Sequence, residues 1–257
     1  MWSEIKAKMD AVKGKTGFYY KNLATGETAS WNGDEAFLAA SIMKLPLLIA
    51  ILSLRKKGQA ELAEKIPVRE ADKLPDSCGA LKSMTGEFEM DVESLARLMI
   101  TISDSTATNI LLDRFPPEIV GRELCALGLE KTQVNRKFYD EEKEARGIQN
   151  YFTPHEIGML LEQIYNRTLI DRETSEWLLD VLLSQQINHK IPGYLPADAE
   201  VAHKTGEEDV RTHDVGIVFA KQPFIVCFAS DEVETPEFEI FIRETSKRLY
   251  EAANRAE

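Results

Sequence analysis

The chain reads as an α+β protein: a five-stranded, mostly antiparallel sheet with flanking terminal helices, joined to a helical region. Three observations predict this. The apolar period is two near both ends, over Thr16–Tyr20 and Glu27–Trp31 early on and over Ala199–Lys204, Asp214–Ala220 and Phe224–Ser230 late. Between Glu61 and Gln185 the pattern is mostly helical. Helical spacing returns at the two extremes, with Trp2, Ile5, Met9 and Val12 at one and Phe238, Phe241, Ile242 and Leu249 at the other. Strands from both ends of a chain can share one antiparallel sheet and bury an apolar face under the terminal helices. Residues 1–257 are expected to form one unit, with 1–58 and 196–257 as its α/β part and 59–195 as its helical part.

Each element has a local reason. Gly14 can stop the first helix, and NLATGE reads as the turn between the first two strands. Val92–Ile102 is amphipathic, and Thr106–Phe115 runs as a helix until Pro116-Pro117. Pro117–Ala126 and Pro154–Tyr165 each begin with a proline suited to a first helical turn, and Asp171–Ser184 is a further helix. Residues 136–150, RKFYDEEKEARGIQN, are charged and fit either a short helix or a solvated loop. AKQP makes the turn before the last strand, and Glu237–Asn254 closes the chain as an amphipathic helix.

Composition narrows the functional classes. A net charge of −12 argues against nucleic acid or an anionic membrane surface as partner and favours a soluble protein with a small-molecule substrate, or with none. Cys78, Cys125 and Cys227 are an odd, widely spaced set, unlike a disulfide framework or a metal site, and Cys125 and Cys227 lie in apolar runs as core thiols would. No metal and no cofactor is expected, and a monomer is the expected state. MWSEIKAKMDAVKG lacks the basic and apolar regions of a signal peptide, which fits a cytoplasmic protein or an exported one whose signal has been removed.

The stretch Ala36–Leu54 is almost wholly apolar, with Ser41 and Lys44 in its middle. A membrane span is disfavoured by the central Lys44, by Pro46 and by the RKKG that ends the run. Residues three apart on a helix share a face, and a lysine desolvated by hydrocarbon loses its proton more easily. Such an amine can take the proton of a neighbouring hydroxyl and create a nucleophile. A buried helix with an incidental serine and lysine has the same spacing. Pro46 requires a kink or an irregular first turn.

Two further motifs follow. Ser103-Asp104-Ser105 opens the TATNILLDRF helix, where Ser and Asp also serve as N-caps. Lys204-Thr205-Gly206 ends a predicted strand ahead of a hairpin. S-x-x-K, S-D-x and K-T-G in this order and these contexts resemble the penicillin-binding proteins and, most closely, the class A β-lactamases. The similarity extends through ISDSTATNILLDRF, HKTG, DVGIV and the terminal helix, nearly the whole chain.

That resemblance implies a β-lactamase/transpeptidase-like fold and a serine acyl hydrolase acting on β-lactams or on peptide-like amides and esters. It implies Ser41 as the acylated nucleophile, Lys44 as its proton-handling partner and Ser103 as the hydroxyl that relays a proton to the leaving nitrogen. Lys204 would supply positive potential, and Thr205 would bond a substrate carboxylate. Gly206 belongs to the same substrate-binding strand, and the backbone N–H groups of Ser41 and Glu207 would form the oxyanion hole.

The chain also departs from the family pattern. Ser105 stands where an asparagine is usual, and its shorter hydroxyl bridges less. Alignment through Thr132–Arg136 places Phe138 where class A enzymes carry the deacylating glutamate. Asp140, Glu141, Glu142 and Glu144 lie nearby and are read either as substitutes or as a solvated acidic face. Asn150 replaces an aspartate that pairs with the loop arginine, here Arg136. His203 is read as a plain strand residue, and His213-Asp214 is not a dyad, because strand neighbours face opposite ways. Ready acylation with slow deacylation is the leading expectation. A D-alanyl peptidase or esterase and a non-turnover penicillin-binding module are the alternatives.

Overall fold

The computed structural model describes residues 1–255. Within them, two compact units form, residues 1–42 with those from 152 onward, and residues 43–151.

The first unit is built on five strands: β1 (Lys15–Asn22), β2 (Thr28–Trp31), β3 (Val201–Glu208), β4 (Arg211–Val218) and β5 (Phe224–Asp231). Their spatial order is β2-β1-β5-β4-β3, and every pairing is antiparallel. The late strands run further than their apolar pattern shows. β3 continues past Lys204 to Glu208, so K-T-G lies inside a strand and not at its end, and it lies on a sheet edge. Ladder bonds to β4 carry the polar residues Thr205, Gly206 and Glu207, opposite Asp214, His213 and Thr212.

One face of the sheet is covered by the helices Trp2–Ala11 and Thr235–Arg255. Ile5, Met9, Phe18, Val226, Phe228, Phe238 and Ile242 form its core. Gly14 leaves the first helix at φ +109°, and a Cβ there would lie 2.3 Å from the carbonyl of Glu232, so no other residue fits that turn. The helix Pro154–Tyr165 packs on the sheet residue Tyr19, close enough that a Cβ on Gly158 would stand 2.4 Å from the Tyr19 ring. That helix and Arg172–Leu183 belong to the sheet unit because their apolar stripes have the sheet to bury against. The unit boundaries therefore fall at 42/43 and 151/152, where the apolar period alone suggested 58/59 and 195/196.

The second unit centres on the helix Lys44–Lys56, buried continuously from Lys44 to Leu54. Pro46 sits in its first turn, where backbone N–H groups have no intrahelical acceptor, and the helix runs on unbroken. Val92–Thr101 and Pro117–Ala126 pack against it. Glu61–Asp91 contains a two-stranded antiparallel ribbon, Lys65–Val68 with Phe88–Asp91, not a helix. Cys125 is exposed rather than a core thiol: Val120, Glu123 and Leu124 form the buried stripe, and Cys125 is one step off it.

Candidate active site

The predicted site residues lie at element starts and on one strand edge. Ser41 is in a 3-10 turn, Ala40–Met43, that precedes the helix proper. Ala40 has φ +41°, a conformation unfavourable for a residue with a Cβ, and such strain tends to be held at functional positions. The turn lies on β3. A Cβ added to Gly206 would come within 3.1 Å of the Ile42 side chain and 3.3 Å of its backbone nitrogen. The K-T-G glycine thus lets the turn that carries Ser41 approach the strand that carries Lys204, Thr205 and Glu207.

Lys44 is fully buried and is held by the second motif. Its Nζ donates to the Ser103 carbonyl at 2.7 Å and the Ser103 hydroxyl at 3.1 Å, and it reaches the Ser105 hydroxyl at 3.4 Å. Burial pushes its pKa down from the ordinary lysine value to about 7, against the opposing pull of Cys78 and Asp104. A neutral amine, able to accept a proton, is therefore well populated near neutrality.

Asp104 does more than cap a helix. One carboxylate oxygen accepts the N–H of Ala107, and the other accepts those of Ala80 (2.7 Å) and Leu81 (2.9 Å). This ties the 79–81 segment to the start of the helix Ser105–Arg114. Gly79, at φ +113°, is required there, since a Cβ would lie 2.3 Å from the Asp104 carboxyl. The clamp leaves Ser103 at φ +56°, with its hydroxyl on Lys44.

Phe138 stands over the lysine, its ring centroid 4.6 Å from Lys44 Nζ. Its backbone is gripped at both ends by one side chain. Asn109 accepts the Phe138 N–H and donates to the Phe138 carbonyl, each at 2.9 Å. Three of the four acidic residues that follow are engaged elsewhere. Asp140 caps the short helix Glu141–Ala145, Glu144 pairs with Arg136 at 3.1 Å, and Glu142 pairs with Arg146. Glu141, Glu142 and Glu144 are exposed. Asn150 does not take over the aspartate's partner: its carbonyl oxygen accepts the N–H groups of Asn135 and Arg136, while the Arg136 guanidinium goes to Gln149 and Glu144.

On β3, Lys204 is fully buried, with Nζ on the Thr205 carbonyl at 2.7 Å. His203 is half of a buried pair: its Nδ1 meets Asp214 at 2.9 Å and its Nε2 meets Asn188 at 2.9 Å, while Asp214 also accepts the N–H of Ile191. The pair straps the 188–191 segment to the sheet, a structural duty that single-strand alternation does not reveal. His213 faces away from Asp214. Burial, then the nearby Lys190, pushes its pKa down to about 3, so it is neutral, donating through Nε2 to Leu38.

Sequence reasoning missed Asn109 and Lys190. Asn109 lies one helical turn beyond S-D-S, facing the loop, but nothing local marks its partner. Lys190 is a buried ammonium that donates to the carbonyls of Gly206 (3.0 Å) and His213 (3.1 Å) and pairs with Glu207 at 2.9 Å. His189, Glu207 and Glu239 bring three donor atoms within 4.8 Å of one another. Lys190 already neutralises the same Glu207 oxygen, which disfavours a dication there.

One unit thus carries a desolvated lysine bonded to a serine hydroxyl, and the other a serine-bearing turn seated on a K-T-G strand edge, the parts that an active-site serine acyl hydrolase would require. Comparison with known proteins agrees. Residues 1–253 match the Beta-lactamase enzyme family, and the chain belongs to that family. The β-lactamase VEB-1 of Pseudomonas aeruginosa is 25% identical over 251 residues, covering 91% of this chain and 83% of that protein. A solved β-lactamase from Sphaerobacter thermophilus is 27% identical with a TM-score of 0.89, covering 100% of this chain and 99% of the other. The structure of PBP-A is 26% identical with a TM-score of 0.88, covering 99% and 96%. The fold is β-lactamase/transpeptidase-like, and the protein is a serine hydrolase of the β-lactamase family. Among the described residues, no helix is long and apolar enough to cross a membrane.

Proposed function

We propose that the protein is acylated at Ser41 by β-lactams, or by related amides and esters, and releases the acyl group slowly. In this reading the neutral Lys44 amine takes the Ser41 proton as Oγ attacks the carbonyl carbon. The resulting oxyanion is stabilised by the N–H groups of Ser41 and Glu207. As the carbon–nitrogen bond breaks, the Ser103 hydroxyl passes its proton to the nitrogen and is reprotonated from Lys44, which leaves an ester on Ser41. Lys204 and Thr205 bind the substrate on the strand edge. The protein is proposed to act as a monomer.

Deacylation requires a water that has lost its proton, and the single observation that carries the slow step is Phe138. A hydrocarbon ring, pinned by Asn109, stands over Lys44, and the family resemblance puts the deacylating carboxylate at this residue. Of the following carboxylates, Asp140 caps a helix, Glu142 and Glu144 are in ion pairs, and Glu141 is exposed. The similarity to PBP-A supports the acylation step, since a leucine-to-glutamate variant of that protein has been solved as an acyl-enzyme complex with penicillin G.

The test is intact mass after mixing with penicillin G, followed over time. The expected result is rapid addition of one penicillin mass that persists through many minutes and maps to Ser41. Steady hydrolysis with no detectable adduct would overturn it. A D-alanyl peptidase or esterase activity would show as turnover of D-alanyl amides or thioesters under the same conditions.

A further inference from the structure

The K-T-G strand of this chain is followed by a glutamate whose side chain sits among cations. Residues two apart on a strand share a face, so the Glu207 side chain lies on the side of Thr205, about 7 Å along β3. Thr205 is buried, whereas about half of the Glu207 side chain is exposed. Its Oε1 is 2.9 Å from the buried Lys190 Nζ and 3.0 Å from His189 Nε2. The other two N–H groups of Lys190 go to the carbonyls of Gly206 and His213. An ammonium has three N–H donors, so Glu207 takes the last.

We infer that Glu207 is a specificity-determining residue: its carboxylate occupies the cation beside Thr205 and disfavours substrates that carry their own carboxylate there. The inference rests on the reading of Ser41 and K-T-G given above. Without Glu207, Lys190 would be a buried, unneutralised cation next to the threonine, suited to an acidic substrate. With it, Lys190 has its counter-ion, and Glu239, which brings a carboxylate oxygen within 4.8 Å of that of Glu207, adds negative charge to the same corner. A substrate carboxylate then meets a like charge and a lysine with no donor left. The preferred substrate class is therefore acyl compounds whose group at that position is neutral, such as an ester or a carboxamide. The Lys190 and Lys204 ammonium groups both hold the Glu207 carboxyl ionised against the cost of its partial burial. A like charge at about 7 Å in a half-exposed setting alters a rate or affinity by about tenfold.

The experiment compares acylation of wild type and Glu207→Gln by penicillin G and by its methyl ester, with second-order rate constants taken from quenched intact mass. Glutamine keeps the shape and removes the charge. The acid-to-ester ratio should rise about tenfold in the variant, and should fall back in the double variant Glu207→Gln with Lys190→Gln. Raising the salt concentration should raise the ratio for wild type and not for Glu207→Gln, a readout that needs no Lys190 variant to fold. A purely structural role for Glu207 would slow both substrates alike and leave the ratio unchanged, and that result overturns the inference while sparing the acyl-enzyme reading. Failure of both substrates to acylate both proteins overturns the acyl-enzyme reading and, with it, this inference.

Discussion

Replacing Phe138 with glutamate should convert a protein that holds its acyl group into one that turns over. The ring centroid lies 4.6 Å from Lys44 Nζ, and Asn109 fixes the backbone of residue 138 through main-chain atoms that the substitution leaves in place. A carboxylate at that distance interacts with the ammonium by about 3–4 kcal/mol at an effective dielectric of about 20. That corresponds to about 2–3 pKa units, moving Lys44 from about 7 back toward the ordinary lysine range. The pair would then be Glu–Lys⁺ at neutral pH, with the carboxylate as base. Gain of a positioned general base is worth about 10²–10⁴ in rate, or about 3–5 kcal/mol of barrier. The lost ring–ammonium contact, worth about 1–2 kcal/mol, is more than replaced by the ion pair, so the fold should survive. The assay is decay of the penicillin G adduct by intact mass after removal of excess ligand, beside steady-state hydrolysis. Decay should accelerate at least 10²-fold. A variant that melts like the parent, acylates like it and loses the adduct at the parental rate would refute the reasoning.

Acylation by the unmodified protein should rise as pH increases through about 7, where Lys44 loses its proton; a rate flat from pH 6 to 9 would exclude Lys44 as acceptor. The same depressed value affects stability. Between about 7 and the unfolded lysine value near 10.5 the unfolded chain binds the extra proton, so folding stability rises with pH across that window and the full desolvation penalty applies below it. Lys44→Met should therefore raise the melting temperature more at pH 6.5 than at pH 9.5, as differential scanning fluorimetry would show. Ser41→Ala should abolish labelling by a fluorescent penicillin with an unchanged melting temperature, and Lys44→Ala should slow labelling by about 10²–10⁴. Asp104→Ala leaves three backbone N–H groups without their acceptor and should cost about 2–4 kcal/mol in urea unfolding.

Much of this architecture is written in local chemistry. Pro154 with Thr153 sets a helix start, Asp104 caps another, and alternating apolar residues mark β1, β4 and β5, because caps, turns and periodicity act over a few residues. The three motifs were legible for the same reason, and the place of Phe138 at a position where the family carries an acid followed from the resemblance to that family. What local patterns could not supply were groups defined by partners far along the chain. Asn109 becomes a clamp only when the loop bearing Phe138, 29 residues on, is laid against it. His203 joins Asp214 diagonally across a ladder, although the neighbouring His213-Asp214 looks the more suggestive pair in one dimension. Cys125 sits one helical step off the buried stripe, which only packing reveals. Lys190 shows nothing unusual in NHKIPG, yet folding buries its ammonium against Gly206 and Glu207. Residue type and spacing determine which chemistry a chain can attempt. Burial and long-range contacts determine which protons move and which charges are already balanced, because desolvation and pairing exist only once distant segments share a dry interior.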